Sequence, residues 1–226
     1  AAHWFGTDQF GRDVFSRVAA GVANTTQIAA VAVGVAALVG TLLGVIAGFY
    51  LKGPDAIISG VTNVLFAFPP LLLALSLTSV MDRNWFTVAV AIAIVYIPIF
   101  IRVARGPVLS LRNIEYVRAA VSTGQSRMAI TMRHVLPNIT SIIIVQVSLS
   151  LSWAVLTEAS LSFLGLGNPP PAPSLGSMIY EARTLVSVAP WTMVAPGIVI
   201  VLLVVGLNLL GDGLRDSFDP RKRGSS

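Results

Sequence analysis

The chain has 226 residues, of which 55% are hydrophobic and only 11% charged, and its mean hydropathy is +0.81. A soluble domain carries about a quarter charged residues, so this composition excludes one: too little polar surface would remain to solvate the exterior. With no cysteine, disulfides and thiolate metal sites are excluded as well.

The first segment, residues 1–25, reads as an outer loop or interfacial helix. Asp8, Arg12, Asp13 and Arg17 interrupt it, which does not fit a secretory signal; Asp8 and Asp13 flank Arg12 and are expected to steady the segment. Five stretches then lack Asp, Glu, Lys and Arg: Val18–Leu51, Ala56–Met81, Asn84–Ile101, His134–Thr157 and Thr184–Gly211. A membrane-spanning helix needs roughly 20 mostly apolar residues, since about 30 Å of hydrocarbon is crossed at 1.5 Å per residue. All five meet that length, the third only just. Ile28–Leu43 is apolar or small on every face, whereas barrel strands alternate. The fold class is therefore all-α integral membrane, a polytopic helical domain over 26–212 with a tail at 213–226.

Within the spans, Phe68-Pro69-Pro70 predicts a kink or break, because proline removes a backbone donor and clashes with the preceding turn. Pro98 and Pro196 raise the same question, and each break could line a path or serve packing alone. Gly34, Gly40, Gly44 and Gly48 have spacing compatible with close helix packing. Glu158 falls where the fourth run meets its outer end and is expected to be solvated or paired, with Arg83 or Arg183 as partners. The outer loop 165–189 is rich in proline (Pro169, Pro170, Pro171, Pro173) and so stiff.

Five spans put the termini on opposite sides. Eleven of the fifteen basic residues then share one side, in the loops Lys52–Asp55 and Arg102–Arg133 and the tail Asp212–Ser226, while the acids divide evenly. Basic residues in short loops are retained in the cytoplasm, so the tail is expected there and residue 1 outside. That start outside leads to the expectation of a sixth span upstream of Ala1. A nucleic-acid site is disfavoured, since the tail offers only Arg221, Lys222 and Arg223 and no stacking platform. His3 and His134 lack partners at ligand spacing, so no metal site is expected.

The stretch 102–137 behaves least like a loop. Helix formers lie on both sides of Gly124, Asn113 is a plausible N-cap, and Gly124 suits the positive φ that ends a helix. Val117, Ala120 and Val121 share one face, as do Met128, Thr131, Met132 and Val135; Arg118, Ser122, Arg127 and Arg133 point the other way. A helix, a glycine bend and a second helix would present Ala119 and Ala120 to a closely approaching partner. An interfacial helix on anionic lipid is the plain alternative.

Arg118-Ala119-Ala120, Gly124 and Leu136-Pro137 fall at the spacings of the cytoplasmic coupling loop of bacterial ABC importers. The block resembles the variant of the dipeptide/oligopeptide/nickel permease family, in which Glu-Tyr-Val-Arg-Ala-Ala and Arg-His-x-Leu-Pro-Asn recur. Gly6–Val14, Glu158–Gly167 and Leu210–Pro220 also resemble that family, and the order is most like the "C" permease of a peptide importer. The resemblance implies a permease subunit of an ATP-driven importer of short peptides in the bacterial inner membrane, not catalytic alone. Its partners would be a second permease in a heterodimer, two ATPase subunits and an extracytoplasmic binding protein. Glu115, Arg118, Ala119, Ala120, Gly124, Leu136 and Pro137 would carry the coupling to the ATPases. No Walker-type Gly-x-x-x-x-Gly-Lys-Ser/Thr occurs, so no cofactor is expected here and ATP would be bound by the partner subunits. The outer loop would receive the binding protein. A nickel-chelate importer is the nearest alternative. An ion-coupled secondary transporter would need ionisable residues within the spans, and the five runs contain no acid. A membrane enzyme would need a nucleophile, acid–base or metal cluster, and none is legible.

Overall fold

The structure, a computed structural model, describes residues 5–218; His3 and the basic residues Arg221, Lys222 and Arg223 lie outside them. Among the described residues there is no strand, only an isolated bridge between Thr7 and Asp13. The helices are α1 (Val14–Tyr50), α2 (Gly53–Phe66), α3 (Pro70–Val80), α4 (Trp85–Leu111), α5 (Glu115–Ser122), α6 (Arg127–Ile130), α7 (Leu136–Phe163), α8 (Leu175–Ala182) and α9 (Trp191–Phe218). A π-helical turn, Thr131–Val135, joins α6 directly to α7.

Among the described residues four helices are long and apolar enough to cross a membrane: Val14–Tyr50, Trp85–Leu111, Arg127–Phe163 and Trp191–Phe218. The second apolar run behaves differently. Pro69 and Pro70 break it into α2, 14 residues, and α3, 11 residues, or about 21 Å and 16 Å of helix. Neither piece reaches across alone, so a fifth crossing exists only if the bent pair counts as one span. Pro98 and Pro196, by contrast, lie inside continuous helices.

Helix boundaries depart from the uncharged runs because a charge does not stop a helix. Helix α1 begins at Val14, within the expected outer segment, and Asp13 accepts from both the Ser16 N–H (2.8 Å) and Ser16 Oγ (2.6 Å) in its first turn. Helix α4 continues past Arg102 to Leu111. The expected outer loop 165–189 contains α8, opened by a capping box between Ser174 and Ser177, which satisfies two otherwise orphaned N–H groups.

Contacts divide the chain into two units. Unit 1 is Ala1–Val33, Pro69–Val95 and Ser150–Asn208; unit 2 is Gly34–Phe68, Tyr96–Leu149 and Leu209–Ser226. In unit 1, Val14, Val18, Ala159, Leu175, Met178 and Ile200 form a buried apolar cluster that seats α8 against α1, α7 and α9. The N-terminal segment is tied to α8 by charge. Arg12 bonds Asp8 (2.6 Å) and Glu181 (2.9 Å), and Arg17 bonds Glu181 (2.9 Å). Burial pushes the Asp8 carboxyl up, but the N–H groups of Arg12 and Phe10 and the Arg12 guanidinium outweigh it and hold it below the usual carboxylate range.

Glu158 is not the solvated or arginine-paired acid expected from its place in the sequence. It is fully buried, accepts from Ser162 Oγ at 2.6 Å, and has Thr25 and Ser174 beside it. Arg183 instead stacks on Tyr180 (3.9 Å to the ring), and Arg83 is exposed. A helix end counted along the chain looks superficial, yet here α8 folds back over it.

In unit 2 the glycine stripe of α1 packs on α4. A methyl group on Gly40, Gly44 or Gly48 would lie 2.5 Å from Phe100 Cβ, 2.5 Å from Ile101 O and 2.9 Å from Val108 Cβ respectively, whereas one on Gly34 would meet nothing within 4 Å. Three of the four glycines therefore serve helix contact. Helix α2 is held to α4 by a two-pronged ion pair, Arg105 Nε and Nη2 to the two oxygens of Asp55, both 2.7 Å, and by Arg102 stacked 4.0 Å over the Phe66 ring.

Candidate functional site

The stretch expected to couple to an ATPase folds as a helical hairpin in unit 2. Helix α5 runs Glu115–Ser122, the chain turns at Gly124 with φ +77°, and α6 starts at Arg127 with Ser126 accepting from Ala129 N–H at 3.2 Å. A residue with a Cβ is strained at that φ, so the glycine is what permits the bend. Asn113 is not the cap: Ile114 holds that position with no side-chain bond, and Asn113 Nδ2 donates back to Leu109 O at 3.3 Å. The second helix is not a separate element either, because α6, the π turn and α7 form one run from Arg127 to Phe163.

Burial sorts the predicted site residues into two groups. Glu115, Arg118, Ala119, Gly124 and Pro137 are exposed and Leu136 is half-buried. Ala120 faces inward, packed with Val117 and Ile130 in the hairpin's own small core, with Phe49 against it. Of the two alanines, only Ala119 is open to a partner. The expected apolar faces divide the same way. Val117 and Val135 are buried, while Val121, Met128 and Met132 are exposed.

Ile114, Tyr116, Val121, Met128 and Met132 are each more than 40% accessible; on α5 the first three border the buried side, and Glu115, Arg118, Ala119 and Ser122 fill the exposed middle. Large apolar groups gathered on an exposed surface mark an interaction site, and methionine adapts to a partner's contour. The faces were missed from sequence because helical spacing groups Ala120 with Val121 without saying which one α6 covers. Phe49, more than sixty positions earlier in another apolar run, gave no signal of belonging to the hairpin. No cluster of three or more His, Asp or Glu placed to hold a metal occurs among the described residues.

An all-helical chain with several apolar spans, and a short exposed hairpin leading straight into one of them, is a polytopic membrane protein with a built interaction element. The model of the family described as "Binding-protein-dependent transport system inner membrane component" matches residues 40–224, and the chain belongs to that family. It is similar to the dipeptide transport system permease protein DppC of Alkalihalophilus pseudofirmus, 43% identical over 223 residues, covering 99% of this chain and 73% of the relative. It is also similar to the glutathione transport system permease protein GsiD of Pectobacterium atrosepticum, 43% identical over 221 residues, covering 98% and 73%. Its fold matches a chain of the inward-facing MetNI methionine ABC transporter (TM-score 0.71, 19% identity, 90% of this chain and 95% of that one). It likewise matches a chain of an amino acid ABC transporter (TM-score 0.66, 15% identity, 90% and 95%). The protein is thus a multi-pass inner-membrane permease component of ABC type, not an enzyme on its own, working with a partner permease, an ATPase and a binding protein.

Proposed function

We propose that this chain is one of two permease subunits in an ATP-driven importer of short peptides. It pairs with a related permease, and two ATPase subunits, which bind the ATP, dock on the hairpin. A binding protein delivers substrate to the outer face, where α8 and the proline-rich loop lie. The observation that carries the docking reading is an exposed hairpin that leaves Ala119 open and large apolar side chains Ile114, Tyr116, Val121, Met128 and Met132 accessible, on the side where eleven of fifteen basic residues fall. The C-terminus is cytoplasmic by the same charge argument. The peptide reading is supported by the names of the relatives, a dipeptide and a glutathione permease.

Docking is tested by Ala119→Trp in the whole complex. The indole would stand on the exposed face without entering the hairpin core, so the chain should still reach the membrane. The ATPase subunits recovered with it should fall at least tenfold, and ATP-dependent dipeptide uptake with them. Full recovery of ATPase with the variant would overturn the docking surface; uptake by membranes without any ATPase partner would overturn the importer itself.

A further inference from the structure

The hairpin is tied to the spans by the chain at both ends, through residues 112–114 to α4 and through the π turn into α7. It also meets Phe49, in the last turn of α1. Phe49 packs against the hairpin core of Val117, Ala120 and Ile130, and also against the span core of Val45, Ala104, Val108, Val135 and Ile139. Among the described residues no other side chain belongs to both sets. Two further contacts seat the hairpin region on the same turn: Arg112 Nη1 donates to Phe49 O at 3.5 Å, and the Arg127 guanidinium lies 5.2 Å over the Tyr50 ring.

What Phe49 is attached to is stiff. The glycine stripe fixes α1 on α4 without intervening side chains, and Arg105–Asp55 carries α2 with α4. Past Tyr50 the chain turns through Leu51 (φ 46°) and Lys52 (φ 55°), two residues with side chains in the left-handed region. Such conformations cost about 1–3 kcal/mol each and persist only where the surroundings impose them. We propose that Phe49 is the positioning residue that makes a displacement of the hairpin act on α1 together with α4, rather than on α4 and α7 alone. This rests on the coupling reading above, and it adds to that reading which spans the hairpin drives and through which side chain.

Because the chain has no cysteine, paired spin labels can be introduced at Ser122 on the hairpin and Ile46 on α1, both exposed. Their distance is measured in the assembled complex without nucleotide and with ATP plus orthovanadate. In the otherwise unaltered chain it should stay constant. In Phe49→Ala it should change with nucleotide by roughly 2 Å or more, the scale of helix shifts at moving interfaces. A nucleotide-dependent change in the unaltered chain, or a constant distance in Phe49→Ala, overturns the proposal. If Phe49→Ala does not assemble with the ATPase, Phe49→Leu is judged by the same criterion. An unlabelled, otherwise unaltered chain that recovers no ATPase would instead sink the coupling reading, a separate observation.

Discussion

Replacing Gly44 by alanine tests whether the α1–α4 contact is as close as its backbone geometry requires. The new methyl carbon would lie 2.5 Å from Ile101 O, 2.8 Å from Ala104 Cβ and 3.1 Å from Ile101 Cα, where non-bonded carbons rest at about 3.5–4.0 Å. Two of these atoms are backbone and the third is a Cβ, so no side chain can rotate away. The helices must separate by about 1 Å, a gap that forfeits a quarter to a half of each dispersion contact along the stripe. Overpacking of this kind costs about 1–3 kcal/mol. Gly34→Ala is the control on the same helix: its methyl meets nothing within 4 Å, and removing a helical glycine gains up to about 1 kcal/mol. That gain is common to both, so unfolding the two variants in detergent with increasing dodecyl sulfate should separate them by about 1–3 kcal/mol, with Gly44→Ala the weaker. Equal midpoints would refute the close approach, and with it the stiffness assigned to α1 and α4.

Two further predictions concern unit 1. Glu158→Ala should release the outer loop, because it opens a void and leaves Ser162 Oγ without its acceptor, a loss of about 1–3 kcal/mol; Glu158→Gln keeps an acceptor oxygen and should lose clearly less. Proteolysis at residues 165–189 reads the difference, and equal cutting of the two variants would contradict the assigned hydrogen bond. The Asp8 clasp should be insensitive to pH between 7 and 5. Its carboxyl is lowered in the fold, so its contribution is fully present above the unfolded value of about 3.9 and is lost only as pH falls through the lower folded value. Amide exchange in residues 7–17 checks this; loosening already near pH 6 would contradict it.

The sequence by itself determined the class of the molecule, since uncharged runs of eighteen or more residues have no stable place but a bilayer. It also determined the sidedness expected from the basic residues, the chain break at Phe68-Pro69-Pro70, the bend at Gly124 and the glycine contact face. Each of these follows from a property of one residue type: an absent charge, a fixed φ, a missing N–H, a missing Cβ. What needed the tertiary structure were the features that depend on which surface covers which. Ala119 and Ala120 are chemically identical neighbours, and only the position of α6 buries one and exposes the other. Glu158 reads as superficial until α8 folds over it, and Phe49 reads as one more apolar residue of a span until the hairpin closes on it. Periodicity gives a helix its faces, but the partner of each face lies far along the chain and is fixed by packing.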